Sequence, residues 1–270
     1  MPKKVKVVVL RTAGTNCDQE TVFAFQSVGA DVDLVHINKF FKGEKRLKDY
    51  QILALPGGFT YGDDIAAGRI LANELRLKLG DDLRAFIQEG KLIIGICNGF
   101  QVMVKAGLLP GTMNGQRNSG RDFAQRATLM INDSGKFEDR WVHLKPAGHC
   151  VWTEGMEEPV SFPVAHGEGK FVCQDAKTLK SLKDDGQVIF RYCDPLGGDP
   201  VYPENPNGSV DHIAGITDST GRVFGLMPHP ERHFLSTQHP AWTRLKKKTR
   251  FGDGARIFHN GVDYVKKNLL

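Results

Sequence analysis

Between residues 5 and 110 the chain alternates short apolar runs with stretches whose apolar residues recur every three or four positions. Residues 5–10 (VKVVVL), 52–55 (ILAL) and 92–96 (LIIGI) are runs of the first kind and read as buried strands. Residues 31–37 (DVDLVHI) alternate and read as another strand. Asp18 opens a helix that extends to about Val28, with acidic side chains in its first turn, where the helix dipole favours them. Residues 69–89 carry Ile70, Leu71, Leu75, Leu79, Leu83, Phe86 and Ile87 on one face, which predicts a long helix with a weak point near Gly80. Residues 98–105 read as a further helix, ended by Gly107. Strands alternating with helices predict βαβ units and a parallel sheet, whose sites lie beyond the carboxyl ends of the strands. Chemistry is therefore expected just after Leu10, Leu55 and Ile96, and turn residues follow all three.

Beyond about residue 110 the pattern changes. Residues 127–131, 141–144, 160–163, 188–192 and 213–217 read as short strands separated by Gly, Pro, Asn and Asp, an added β-rich portion with antiparallel pieces. Residues 194–209 (DPLGGDPVYPENPNGS) form a loop dense in Pro and Gly, and residues 254–267 read as a terminal helix burying Ile257, Phe258, Val262 and Val265. No internal repeat occurs, and no linker is long enough to separate independent domains. The expectation is one domain over residues 1–270, with a core at about 5–235 and a C-terminal extension at about 236–270.

Composition narrows this picture mainly by exclusion. No run of 18 apolar residues appears, so no membrane-spanning helix is expected. The apolar run at 5–10 is too short for a signal-peptide core, and a cytoplasmic protein is expected. Five cysteines, with no CxxC pair, indicate neither a zinc site nor a disulfide framework. The net charge of +5 is spread along the chain except at residues 244–250 (RLKKKTR). The plain reading of that run is a solvated face, the alternative a contact with a partner subunit or an anionic ligand. Without a helix-turn-helix, RNP or finger signature it does not point to nucleic acid.

Three segments carry candidate chemistry. Gly95-Ile-Cys97-Asn-Gly99 lies between a strand and a helix and has the form of a nucleophile elbow with a cysteine at its tip. Its glycines suit a sharp turn, and the helix N-terminus offers a positive end and free N–H groups to an anion. By itself the segment is equally compatible with a small cysteine packed at a strand end. Gly225-Leu-Met-Pro-His229-Pro-Glu231-Arg232 holds a histidine between two prolines, with a carboxylate two residues on that can fix the imidazole tautomer. The plainer alternative is a turn histidine. Pro56-Gly57-Gly58 ends a strand with glycines that allow backbone N–H groups to approach a substrate, or that simply close a turn.

Taken together, in this order and strand context, the PGG loop, the GxCxGxQ elbow through Gln101 and the late HPE resemble the triad-type (class I) glutamine amidotransferases. Gly14-Thr-Asn-Cys-Asp18, Pro56-Gly-Gly-Phe-Thr-Tyr-Gly-Asp-Asp64, Ala165-His-Gly-Glu-Gly169 and Gly225-Leu-Met-Pro-His-Pro-Glu-Arg232 narrow the resemblance to the glutaminase subunits of phosphoribosylformylglycinamidine synthases. The resemblance implies a flavodoxin-like α/β domain with a central, mostly parallel sheet and helices on both faces. It implies Cys97 as nucleophile, His229 and Glu231 as the rest of the triad, and the backbone of Gly58 and Asn98 as the oxyanion hole. Gln101, His166 and Gly167 would help shape the glutamine pocket. No metal and no cofactor are implied in this chain. ATP and Mg2+ would belong to a synthetase subunit, assembled with a small accessory subunit, and the chain's lack of GxxxxGK[ST] agrees with that division. Two other readings stay open at this point: a cysteine-dependent γ-glutamyl hydrolase acting without a partner, and a non-catalytic regulatory subunit on the same scaffold.

Overall fold

The computed structural model describes residues 3–111, 124–244 and 249–270. The first half contains β1 (Lys6–Arg11), α1 (Asp18–Ser27), β2 (Asp31–His36), α2 (Asn38–Phe41), β3 (Ile52–Leu55), α3 (Arg69–Lys78), α4 (Gly80–Gln88), β4 (Leu92–Ile96) and α5 (Asn98–Ala106). The second contains β5 (Ala127–Met130), β6 (Glu138–Pro146), β7 (Val160–His166), β8 (Lys170–Cys173), α6 (Ala176–Asp184), β9 (Val188–Cys193), β10 (Ile213–Thr217), β11 (Val223–Leu226) and α7 (Ala255–Asn268).

One nine-stranded sheet runs in the order β2-β1-β3-β4-β11-β10-β9-β6-β7. Its first five strands are parallel, and the remaining pairings are antiparallel. Counting β11 as the fifth strand, the parallel half has the 2-1-3-4-5 order of flavodoxin-like folds. The chain leaves β1 toward β2 on one side and later proceeds from β3 toward β4 on the other. Right-handed crossovers therefore send α1 to one face and α3 and α5 to the opposite one. The contacts agree: α1 packs on α7, with Phe25 and Phe258 edge to face at 5.0 Å, while α3 packs on α5. Coverage on both faces explains why Val7, Val8, Val9, Ile52, Ile93 and Ile94 are all buried, and why their segments read as unbroken apolar runs. A two-stranded sheet of β5 and β8 lies over α5, where Phe100 stacks on Phe171 at 6.2 Å.

The antiparallel half does not continue flat. Five inter-strand steps separate β4 from β7, which would be about 24 Å in a planar sheet. Yet the Cys97 sulfur, directly after β4, lies 3.7 Å from the Ala165 carbonyl of β7. The sheet curls back on itself and delivers its last strand to the carboxyl ends of the parallel half.

The stretch at 69–89 is two helices, broken at Leu79 with α4 starting on Gly80. Four elements were not anticipated from the sequence: α2, β8, α6 and β11. The last matters most, because β11 pairs in parallel with β4 and carries the segment leading to His229. Of the basic run at 244–250, residues 245–248 lie outside the described residues. Among the described residues, no helix is long and apolar enough to cross a membrane.

Candidate active site

Cys97 follows β4 directly and has φ +53° and ψ −108°, a conformation that L-residues adopt only when their surroundings impose it. Its N–H donates to the Leu226 carbonyl at 2.8 Å, and its own carbonyl accepts from Gln101 N–H at 3.0 Å, starting α5. Gly99 is required by close approach: a Cβ there would run into the Leu55 carbonyl at the end of β3. The neighbouring loop is fixed in the same way. Gly58 has φ +145°, and a Cβ on it would come within 2.7 Å of both Asn16 N and the Gly14 carbonyl. The Gly57 carbonyl accepts from Asn16 and Cys17 N–H at 3.4 and 3.2 Å. In a trans peptide the N–H of Gly58 must then point the opposite way. Among the described residues, neither Gly58 N–H nor Asn98 N–H, the two expected oxyanion donors, is taken by a protein acceptor.

His229 sits beyond β11 between Pro228 and Pro230. It is 1% exposed, and its Nδ1 shares a 2.6 Å hydrogen bond with Glu231 Oε1. Burial opposes a charge on the ring and is the largest single influence. The Glu231 carboxylate, with the thiols of Cys97 and Cys17, overcomes it and holds the His229 pKa well above its ordinary value. Burial pushes the thiols of Cys150, Cys173 and Cys193 up to about 11, so they remain inert packing.

The curled antiparallel half adds the edge of β7. Ser161, Pro163 and Ala165, alternate residues, turn their carbonyls toward His233, His229 and Cys97. Ser161 O accepts from His233 Nδ1 at 2.7 Å, Pro163 O from His229 N–H at 2.8 Å, and Ala165 O from the Cys97 thiol at 3.7 Å. His166 follows. Burial drives its pKa down to about 3, so it is neutral, and Asn132 holds it: His166 Nδ1 lies 3.1 Å from Asn132 Oδ1. Asn132 Oδ1 also accepts Gly169 N–H, and its amide donates to the His166 carbonyl, so one side chain sets the whole turn from His166 to Gly169.

The structure thus brings Cys97, His229, Glu231, Gly58 and Asn98 together. Gln101 and the turn holding His166 and Gly167 border them, since Gln101 donates to the Glu168 carbonyl. Sequence reasoning missed the side chain of Asn98. It is fully buried, and its Oδ1 accepts from Thr60 N–H at 3.2 Å and Thr60 Oγ1 at 2.7 Å. Its Nδ2 donates to Asp63 at 3.0 Å and to Gln101 Oε1 at 2.8 Å. Asn98 therefore ties the loop after β3 to the start of α5, the two segments that carry the expected oxyanion donors. Nothing in the sequence marked Asn132, whose place in a turn looked ordinary. Glu168 and buried Lys105, paired at 3.3 Å, were likewise unforeseen.

A cysteine on a strained elbow, a buried His–Glu pair and two free N–H groups are the parts of a thiol-dependent amide hydrolase. The comparisons agree with that chemistry. The chain belongs to the CobB/CobQ-like glutamine amidotransferase domain family, which it matches over residues 4–265. It is 47% identical over 267 residues to the phosphoribosylformylglycinamidine synthase subunit PurQ of Dehalococcoides mccartyi, covering 98% of this chain and 99% of that one. It is also 47% identical over 277 residues to the PurQ subunit of Methanococcus maripaludis, covering 97% and 98%. A chain in the structure of PurLQS from Thermotoga maritima superposes with a TM-score of 0.72 at 30% identity, over 97% of this chain and 100% of that one. Within the amidotransferases the chain is thus a member of the PurQ family. Another glutamine amidotransferase from Thermotoga maritima, at 16% identity and a TM-score of 0.51 over 98% of this chain and 93% of that one, shares the fold alone.

Proposed function

We propose that this chain is the ammonia-producing subunit of a phosphoribosylformylglycinamidine synthase, and that Cys97, His229 and Glu231 carry out its chemistry. The observation that carries this reading is the 2.6 Å His229–Glu231 pair, buried beside a cysteine on a strained elbow. The Cys97 thiolate attacks the side-chain carbonyl carbon of glutamine. Gly58 N–H and Asn98 N–H receive the resulting oxyanion, a contribution of roughly 10²–10³ in rate for each donor. The His229 imidazolium gives its Nε2 proton to the leaving nitrogen, and ammonia departs from a glutamyl thioester. His229, now neutral, takes a proton from water as that water attacks the thioester, and glutamate is released. Glu231 holds the ring tautomer throughout. Gln101, His166 and Gly167 line the glutamine pocket.

Ammonia passes to a synthetase subunit that binds ATP and Mg2+ and converts formylglycinamide ribonucleotide to its amidine, with a small accessory subunit in the assembly. The chain acts as one cytoplasmic amidotransferase domain over residues 1–270, and the terminal helix α7 of its extension from about 236 packs on α1. The test is glutamate release by the purified chain, alone and with the synthetase, accessory subunit, nucleotide substrate and ATP. Slow turnover alone and strong acceleration in the mixture are expected. Hydrolysis of γ-glutamyl peptides at a comparable rate without partners would make it a γ-glutamyl hydrolase. No turnover, with Cys97 unlabelled by a glutamine chloroketone, would make it a non-catalytic subunit.

A further inference from the structure

A second thiol reaches the triad histidine. Cys17, 1% exposed, precedes α1 and comes from the loop after β1. Its sulfur, a ring nitrogen of His229 and a carboxylate oxygen of Glu231 all lie within 4.8 Å of one another. Gly57 opens the space between them. A Cβ there would stand 2.7 Å from His229 Cε1, 3.1 Å from the Cys17 sulfur and 3.4 Å from Cys97 Cβ. The hydrogen bonds of Cys17 fix which way it presents itself. Its thiol donates to Asn16 Oδ1 at 3.1 Å, and its sulfur accepts from Arg232 Nη2, also at 3.1 Å. With its proton committed to Asn16, the sulfur faces His229 as a pure acceptor.

His229 needs such an acceptor. Its Nδ1 is taken by Glu231, and its Nε2 is buried with no hydrogen-bond partner, sulfur included. We propose that Cys17 is a positioning residue whose sulfur accepts the His229 Nε2–H and holds the imidazolium in place after the ring has taken a proton from the water that attacks the thioester. This rests on the amidotransferase reading above. In the resting enzyme the ring can face the Cys97 sulfur. Once Cys97 is bonded to the glutamyl carbon, its sulfur is a thioester and a poor acceptor. The ring must still take a proton from the attacking water and carry it until glutamate leaves and the Cys97 thiolate is restored. Cys17 is the sulfur left to bind Nε2–H during that interval. Burial raises the pKa of Cys17 and keeps it a neutral thiol, consistent with this role. The other groups around the pair are Glu231, Cys97 and neutral His166 against His229, and Arg232, itself bonded to Glu20, against Cys17.

The test reads the ring directly. The protonation midpoint of His229 is followed by 15N NMR of histidine-labelled chain, with His229→Gln to assign the signal. The wild type should titrate above the ordinary value of about 6.5. Cys17→Ala should lower the midpoint by about one pH unit, a tenfold loss in proton affinity, and Cys17→Val, close in volume, serves if the smaller residue unfolds the chain. Cys17→Ser, which keeps an acceptor, should recover part of the shift. In the assembled enzyme the alkaline limb of kcat/KM should move down in step, whereas a purely structural role would lower activity equally at every pH. An unchanged midpoint in a folded Ala or Val variant overturns the proposal. Because the midpoint is read without glutamine, that outcome is separable from a failure of the amidotransferase reading, which the chloroketone label on Cys97 reports independently.

Discussion

The two halves of the sheet serve the site in different ways, one by strand ends and the other by a strand edge. In the parallel half, β1, β3, β4 and β11 all finish at the same side, and each is followed by a turn that bears a functional group: Cys17, Gly58, Cys97 and His229 in chain order. Strand ends that lead into loops and helix starts present free N–H groups, so in the proposed mechanism this half supplies donors, nucleophile and proton carrier. The antiparallel half reaches the site sideways, through the carbonyls of Pro163 and Ala165. An edge offers acceptors and a wall. Substitutions in the parallel half should therefore act on turnover, and those in the antiparallel half on binding and stability.

The largest effect expected from this division is on the triad itself. Cys97→Ala or His229→Ala should cut glutaminase activity by about 10⁴-fold or more with the thermal midpoint little changed. Residual turnover within tenfold of wild type would place the nucleophile elsewhere. Next comes Asn98→Ala, which frees the Thr60 loop from α5. A drop in kcat of about 10²-fold is expected, with KM for glutamine nearly constant and the rate of Cys97 alkylation retained. If KM rises while kcat holds, Asn98 belongs to the pocket rather than to the oxyanion donors.

His166 tests the other half. His166→Gln should raise KM for glutamine about tenfold, or 1.4 kcal/mol of binding, with a smaller effect on kcat; the opposite split would sink the division between ends and edge. The same variant has a pH signature. The His166 pKa is pushed down to about 3 in the fold, whereas the unfolded chain takes up its proton at the ordinary value of about 6.5. The unfolded state thus binds the extra proton, and stability is lost as pH falls from about 6.5 toward about 3, at a slope approaching about 1.4 kcal/mol per pH unit. Denaturant titrations of wild type and His166→Gln across that window should differ by this slope. The smallest effect belongs to the solvated rim of the antiparallel half. Lys183→Ala, which removes the 3.3 Å pair with Asp211, should leave activity unchanged and stability within about 0.5 kcal/mol.

The same division decides what could be read from the sequence. Strands β1, β3 and β4 were legible because burial on both faces leaves an unmistakable apolar run, and the elbow, PGG and HPE segments stand directly at strand ends. Strand β11 escaped because VFGL lies among Gly221, Gly225, Pro228 and Pro230 and reads as part of a turn, although it pairs with β4 and leads to His229. The curl escaped for a different reason. It arises from successive antiparallel registers, from β10 out to β7, and no local pattern encodes where an edge strand returns. Asn98 was legible as a motif position and illegible as a hub, since its partners Thr60, Asp63 and Gln101 come from two segments that meet only in the fold.

The edge of β7 has one more consequence. An outermost strand with free backbone groups invites pairing with another molecule. Here Ser161 N–H is taken by Asp253 at 2.9 Å, Ser161 O by His233, Pro163 O by His229 N–H, and Pro163 has no N–H to offer. The turn that holds His229 therefore also covers this edge against pairing with another molecule. Variants that loosen it should lose solubility along with turnover, so selection for a soluble chain would by itself help to preserve the geometry of the site.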